Sequence, residues 1–242
     1  MTMPDRPDPT AGPTTKPWSG GGREELAAAV RRLTALTVTA AAPPGVLRDA
    51  AARADALADD LAEHVPEPGA EPRPRFADHP VLPEGAAALA AAMPFDVVIG
   101  SCNPVALPLT LAFDPPRATG RATFTPQYEG APGCVHGAVV AGAFDIMLTA
   151  ANVIADAAGP TVSLSIRYLK PTLIDQPTVF EAWVTELTER RTHSHGRLVQ
   201  GGVVTAEAEG EFVNMDRSRI NSMHRRDEGP TPGDADHRPG AP

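Results

Sequence analysis

Cysteine, aromatic residues and positive charge are all scarce in this chain of 242 residues. Its two cysteines, Cys102 and Cys134, do not make a disulfide framework, and a cytoplasmic location is expected. Aromatic residues make up only 5% of the chain, and acidic residues outnumber lysine and arginine by 30 to 21. The resulting formal charge of −9 disfavours electrostatic binding to nucleic acid or to an anionic membrane.

A targeting segment and a membrane span are also not expected. The first residues are polar and rich in proline, without the apolar stretch of a signal peptide. The longest apolar stretch, residues 135–158, contains Asp145, Asn152 and Asp156. Three polar side chains in such a stretch favour the core helix of a soluble protein and argue against membrane insertion.

Proline and glycine are plentiful, at 27 and 21 residues, and their distribution divides the chain. Proline-rich and polar stretches predict disorder or linkers, and stretches rich in helix formers or alternating residues predict folded elements. The predicted organisation is a disordered N-terminus (1–22), a helical N-terminal extension (23–65), a Pro-rich linker (66–92), a folded domain (93–215) and a disordered tail (216–242).

The second helix of the N-terminal extension carries an apolar stripe. After Pro43-Pro44, apolar residues recur every three or four positions, at Leu47, Ala50, Ala54, Leu57, Leu61 and Val65. This spacing places them on one face of a helix, which is therefore expected to pack on something. The stripe could cover an active site or bridge subunits.

The folded domain shows strands on both sides of one long apolar helix. The helix follows a loop at Gly130–Gly133 and ends at Gly159-Pro160. Strands are predicted at 107–113, 118–126, 161–168 and 178–188, and one long strand or a bulged pair at 197–214. The apolar face of the sheet and the apolar surface of the helix must both be buried, and packing the sheet around the helix buries both. The sequence therefore predicts an α+β fold, with a curved antiparallel sheet wrapped around one long central helix.

Asp145 is the most informative residue of that helix, because its neighbours Phe144, Ile146 and Met147 are all apolar. Burying a carboxylate among apolar side chains costs free energy unless it is paired or hydrogen-bonded. Two interpretations follow from the residues alone. The carboxylate either bonds to a backbone amide or an arginine for structural reasons, or it serves a functional site.

His136-Gly137-Ala138 stands at the predicted start of the same helix, where backbone N–H groups lack partners within the helix. Glycine lets a substrate approach the backbone closely, and the helix dipole favours negative charge there. These are the ingredients of an oxyanion hole. An ordinary loop-to-helix junction would have the same composition.

Other constellations are weaker. His193-Ser194-His195 lacks a third ligand at metal spacing, so a polar hairpin turn is predicted and no metal site is expected. Cys134 and His136 could form a nucleophile pair, but residues two apart at a helix start seldom face each other. No sequence signature of a phosphate- or dinucleotide-binding loop or of a serine nucleophile elbow is present.

Taken together, V-H-G-A-V-V-A-G-A-F-D and T-V-S-L-S-I-R-Y-L-K-P resemble the PaaI-like acyl-CoA thioesterases of the hotdog superfamily, in the branch with thioesterase superfamily members 2 and 4. The resemblance rests on His136 and Asp145 nine residues apart, then Thr161, Tyr168 and Pro171. It covers about residues 95–215. The second glycine of the family's H-G-G is Ala138 here, and Gly130 stands where some members have a polar residue.

The resemblance implies a hotdog fold, hydrolysis of acyl-CoA to free acid and CoA, and no cofactor. It implies a homodimer or tetramer in which two central helices pack side by side. The thioester carbonyl would lie at the helix start, held by the Gly137 or Ala138 amide. Asp145 of the opposing subunit would act as general base or nucleophile, positioned by Thr161.

The phosphates of CoA require cationic partners, and the candidates are Arg167, Lys170, Arg190 and Arg191. Two alternatives to hydrolysis stay open. One is a non-catalytic hotdog module that binds acyl-CoA or a lipid-like ligand. The other is a hotdog hydratase or dehydratase, although such enzymes pair an aspartate with a histidine at a different spacing.

Overall fold

The computed structural model describes residues 22–67, 85–157 and 159–214. The predicted disordered segments at the two termini lie outside these residues, apart from Gly22, as does most of the predicted linker. The helices are α1 (Gly22–Thr39), α2 (Pro44–Ala62), α3 (Ala86–Ala92) and α4 (Gly137–Ile154). The strands are β1 (Thr110–Asp114), β2 (Arg117–Thr123), β3 (Thr161–Tyr168), β4 (Pro177–Leu187), β5 (Arg191–Gln200) and β6 (Val203–Val213).

The six strands form one antiparallel sheet in the order β1-β2-β4-β5-β6-β3. Strands β2, β4, β5 and β6 alternate between buried and more exposed residues, so one face of the sheet is apolar and covered. Helix α4 packs on that face against five of the strands. The predicted α+β architecture, with N-terminal helices added to a sheet wrapped around a central helix, is confirmed.

The core lies between α4 and the sheet. Phe144 on α4 and Phe180 on β4 are both fully buried, with their rings edge to face and the centroids 5.2 Å apart. Helix α4 is long and apolar enough to cross a membrane by composition alone, but more than half of its residues are buried inside this protein. Helix α4 is therefore a core helix, as predicted from the polar residues within its sequence.

The end of the predicted linker is wrong, because residues 86–92 form α3 rather than an extended segment. Alanines separate the proline-rich stretch from the folded domain, and Leu89 among them is fully buried in the main core. Alanine is the strongest helix former, and a single buried leucine is enough to anchor this short helix.

The prediction of a polar turn at His193–His195 is also wrong. These residues lie in the middle of β5, and Ser194 points inward to donate a hydrogen bond to the buried Asn152 side chain on α4. The turn between β4 and β5 is instead at residues 188–190, and Gly201-Gly202, both with positive φ, make the two-residue turn between β5 and β6. Residues 197–214, predicted as one long strand or a bulged pair, therefore contain the end of β5 and all of β6.

The two N-terminal helices differ in how they pack. Helix α1 docks on the folded domain, because Arg31 donates hydrogen bonds to the carbonyls of Ser101 and Asn103, and Ser101 donates to Glu24. Helix α2 has no buried residue, so its predicted packing face contacts no other part of the described chain closely. The described residues of one chain leave this stripe uncovered.

Candidate active site at the central helix

The loop before α4 holds the start of that helix in place. Gly130 donates its N–H to the Cys134 carbonyl, and the Glu129 carboxylate accepts the Gly133 N–H. Gly133 has a φ of 75°, which glycine adopts without strain. Gly130 packs directly on His136, where a side chain would come within 2.9 Å of the His136 Cα atom. The loop therefore needs glycine at position 130.

His136 caps α4 and is exposed. Its backbone N–H donates to the Tyr128 carbonyl, and its Nδ1 atom accepts the Ala138 N–H at 3.0 Å. Because Nδ1 accepts, the proton of the neutral imidazole is on Nε2. Sequence reasoning missed this cap, since serine, threonine, aspartate and asparagine are the residues that usually cap helices.

The amides at the start of α4 are therefore not equivalent. The Ala138 N–H is engaged by the imidazole of His136. The Gly137 N–H donates to no acceptor within the described residues. Of the two amides predicted to hold a developing negative charge, only that of Gly137 is unpaired in a single chain.

Tyr168 fixes the position of Gly137. Its hydroxyl donates a hydrogen bond of 2.8 Å to the Gly137 carbonyl. A Cβ atom at position 137 would lie 3.2 Å from that hydroxyl and 3.3 Å from the ring. A side chain at position 137 would have to displace Tyr168, and the hydrogen bond places the tyrosine at the end of β3 against the first residue of α4.

Asp145 and Thr161 meet, as the motif spacing predicted. Thr161 is the first residue of β3, and its hydroxyl donates a 2.8 Å hydrogen bond to Oδ1 of Asp145. Asp145 is half-buried rather than enclosed, and it forms no ion pair within the described residues. Its second oxygen, Oδ2, accepts no hydrogen bond from these residues, so it can accept one from water or a ligand.

One face of α4 is not covered by the sheet. It runs through Ala138, Ala141, Gly142 and Asp145, all half-buried or exposed, while the opposite face is in the core. The sequence predicted cover on nearly every side, whereas among the described residues the sheet covers one side of α4 and Val98 lies near Gly142 on another. The small residues on the open face leave room for another helix to approach closely.

A cleft of about 710 Å³ opens at the start of α4. His136, Gly137, Tyr168 and Lys170 are among the residues that line it, whereas Asp145 and Thr161 are not. Eight residues of helix separate Gly137 from Asp145, which is about 12 Å along the axis. The structure thus brings Asp145 together with Thr161, and His136 with Gly137, but it keeps the two pairs apart within one chain.

The four cationic candidates lie in different places. Lys170 lines the cleft. Arg167 is 3.4 Å from Glu207 in an exposed ion pair, and Arg191 is 3.2 Å from Glu211. Arg190 and Arg191 lie at the turn between β4 and β5, at the end of the sheet where Thr161 begins β3. In a single chain they are near the Asp145 pair and distant from the cleft.

The remaining side chains noted in the sequence form no site. The thiols of Cys102 and Cys134 are both free, and Cys134 donates weakly to the Pro132 carbonyl. His195 lies 4.0 Å from Glu209 on the outer face of the sheet. In the part of the chain that the structure describes, no three histidine, cysteine, aspartate or glutamate side chains are grouped to hold a metal ion.

Comparison with known proteins relates part of the chain to one family. A sequence model described as the thioesterase superfamily matches residues 132–212, the segment that contains most of the loop, α4 and β3 to β6. Over this segment the chain is similar to the thioesterase superfamily. No curated protein matches the chain.

Several solved structures are similar to the chain. A crystal structure described as a thioesterase superfamily protein is 29% identical, with a TM-score of 0.66, over 80% of this chain and 96% of that one. The Escherichia coli PaaI protein is 17% identical, with a TM-score of 0.43, over 45% of this chain and 81% of its own. A Streptococcus mutans protein bound to acetyl CoA is 14% identical, with a TM-score of 0.42, over 43% and 87%. The folded domain has the hotdog fold that the resemblance implied.

Proposed function

We propose that this protein hydrolyses acyl-CoA thioesters in sites shared between two copies of the chain. The observation that carries the proposal is the separation of Gly137 from Asp145. The free amide and the carboxylate lie on one open face of α4, about 12 Å apart along the helix. They are too far apart to act on one carbonyl group, but a second copy can supply the missing half of each site.

Antiparallel packing of two α4 helices would bring the halves together. If Gly137 of one copy faces Asp145 of the other, the two-fold axis passes at Ala141, midway between them. Ala141 and Gly142 are the small residues that such a crossing needs. The outer edge of β3 is also unpaired within the described residues, so two sheets could continue across the same axis.

The chemistry of such a site is hydrolysis assisted by a carboxylate. Asp145 takes a proton from a water molecule, and the resulting hydroxide attacks the thioester carbonyl carbon. The carbonyl oxygen becomes an oxyanion that the Gly137 N–H stabilises. The intermediate collapses with cleavage of the carbon–sulfur bond, which releases the thiolate and the acid. Asp145 can alternatively attack the carbonyl itself and form an anhydride that water then hydrolyses.

His136 supports this arrangement in two ways. By accepting the Ala138 N–H it fixes the first turn of α4, and with it the direction of the Gly137 amide. That hydrogen bond leaves the Nε2–H of His136 free. Because His136 lines the cleft, this N–H can donate a hydrogen bond to the substrate. The imidazole therefore acts as a positioning group and a donor rather than as a base.

The acyl-CoA proposal is tested by thiol release from a panel of acyl-CoA substrates of different chain length. We expect turnover with at least one of them, and the free acid and CoA as the only products. If acyl-CoA binds without release of thiol, the chain is a binding module instead. Addition of water to a crotonyl thioester, with the thioester intact, would indicate a hydratase.

Lys170 provides a test of recognition of the CoA phosphates. We expect Lys170→Ala to raise KM for acyl-CoA about tenfold, because one charge-assisted hydrogen bond to a phosphate is lost. The same variant should leave KM unchanged for an acyl-pantetheine, which lacks the nucleotide phosphates. Arg121→Ala, which removes an exposed cation near the opposite edge of the sheet, serves as the control. Equal KM changes for both substrates would contradict this role.

Thr161 tests the positioning of the carboxylate. We expect Thr161→Val to lower kcat about tenfold with little change in KM, since the hydrogen bond that orients Asp145 is removed. Thr161→Ser keeps the hydroxyl and should retain most of the activity. Steady-state kinetics of the two variants measure the difference. A valine variant as active as the serine variant would show that this hydrogen bond has no part in turnover.

A further inference from the structure

Helix α2 is amphipathic but has no partner among the described residues of its own chain. It spans 19 residues, none of them buried, and its leucines are all exposed, with 46% of Leu47 and 48% of Leu57 accessible. In proteins most of the stability of a helix comes from the packing of its apolar face rather than from helix propensity. An exposed apolar stripe on such a helix therefore indicates a partner outside the described residues of this chain.

The stripe has the spacing of a coiled coil. Its apolar residues are separated by three, four, three and four positions, which corresponds to alternating a and d positions of a heptad. They are Leu47, Ala50, Ala54, Leu57 and Leu61, with His64 next in the series. A sustained alternation of this kind favours another helix as the partner over a flat or concave surface.

We infer that the partner is α2 of a second copy of this chain, packed antiparallel. In this alignment Leu57 of one helix faces Ala54 of the other, and Leu61 faces Ala50. In these two layers each large side chain meets a small one, which favours interdigitation, whereas Leu47 faces His64 just beyond the end of α2. The flanking e positions, Ala51 and Ala58, are also small and permit close approach.

The charges fit the same alignment. At the flanking g positions, Arg53 of one copy faces Asp60 of the other, and the two-fold axis repeats this pair. Neither side chain forms an ion pair within the described residues, so both are available. Complementary charges and complementary sizes in one alignment argue for a self-association surface.

A parallel pair of α2 helices fits less well. Each layer would then pair a residue with its own copy, so Ala50 and Ala54 would form two adjacent layers of small side chains with a void between the helices. Arg53 would lie opposite the uncharged Ala58. Neither the sizes nor the charges would be complementary, which leaves the antiparallel pair.

Disulfide cross-linking of the full chain tests this pairing. In a background of Cys102→Ser and Cys134→Ser, the double variant Ala50→Cys/Leu61→Cys places facing cysteines in two layers of the antiparallel pair. Within one helix these positions are about 16 Å apart, so they cannot bond to each other. Under mild oxidation we expect most of the protein to migrate as a covalent dimer on a non-reducing gel.

The controls separate the alternatives. Each single cysteine variant should stay monomeric on the gel, since the two copies of either position are also about 16 Å apart in the antiparallel pair. Ala52→Cys/Asp59→Cys is centred on the same point of the alignment but lies on the opposite face of α2, so it should not cross-link. Dimers from the single variants would mean a parallel pair, and absence of dimer from the Ala50/Leu61 variant would mean a different partner. Either result overturns the inference, and neither depends on the proposed hydrolysis.

Discussion

Asp145→Asn is expected to lower kcat for acyl-CoA hydrolysis by about 10³-fold, within the range for loss of a general base. The side chain keeps its size and can still accept the Thr161 hydrogen bond through the amide oxygen. It cannot accept a proton from water, because an amide is not basic, and it cannot act as a nucleophile. The fold should be unaffected, since Asp145 is half-buried and forms no ion pair in the described chain.

The measurement is thiol release under saturating substrate, together with thermal unfolding to check the fold. Asp156→Asn is the matched control, because Asp156 follows the same helix, is exposed and has a φ of 55° that asparagine also tolerates. We expect the control to retain full activity. Normal hydrolysis by Asp145→Asn would reject the assignment of Asp145 and leave its hydrogen bond with Thr161 as a structural contact.

Gly137→Val is expected to lower kcat/KM by about 10²-fold, as expected for loss of an oxyanion-hole donor. A Cβ atom at this position already lies 3.2 Å from the Tyr168 hydroxyl, so the two methyl groups of valine must displace the ring or cover the amide. Either change keeps the substrate carbonyl from the Gly137 N–H. The substituted residue is at the first turn of α4, where a β-branched side chain costs the helix little.

Gly45→Val is the control for this variant, since a side chain at position 45 meets no atom within 4 Å. Comparison of the two variants with wild type separates a local block of the amide from a general effect of replacing glycine near a helix start. If Gly137→Val proves as active as Gly45→Val, the first amide of α4 does not hold the carbonyl oxygen.

The sequence predicts those parts of the fold in which local pattern and tertiary packing agree. Strand β3 alternates apolar and polar residues over 161–168 and has the predicted bounds. Helix α4 is apolar enough to be identified, and the meeting of Asp145 with Thr161 follows from the spacing of the family motif. In each of these elements one sequence pattern is strong and no second pattern competes with it.

Other elements could not be predicted because the same local sequence pattern is compatible with two different structures. Gly201-Gly202 is compatible with a bulge or a hairpin turn, and only pairing with β4 and β6 decides that β5 starts at Arg191. The alternation in β5 is disguised by small polar residues such as Ser194, whose burial depends on Asn152 across the core. The stripe on α2 predicts packing, but a helical period does not identify the partner.

The candidate site likewise has features that the sequence predicts and features that it does not. The sequence gives the identities of His136, Gly137 and Asp145, since a motif needs no coordinates. It does not show that His136 occupies the Ala138 amide, nor that Tyr168 contacts Gly137. Those contacts depend on how the loop before α4 and the end of β3 approach each other, which is a property of the packed chain.

The most direct test of the shared site combines the two inactive variants in one assay. When Asp145→Asn and Gly137→Val chains are refolded together in equal amounts, half of the dimers should contain one of each. In such a dimer one site has an intact Gly137 and an intact Asp145, and the other has neither. We expect about a quarter of wild-type activity to return, from one site in half of the dimers. Activity no higher than the sum of the separate variants would contradict a site built from two copies of the chain.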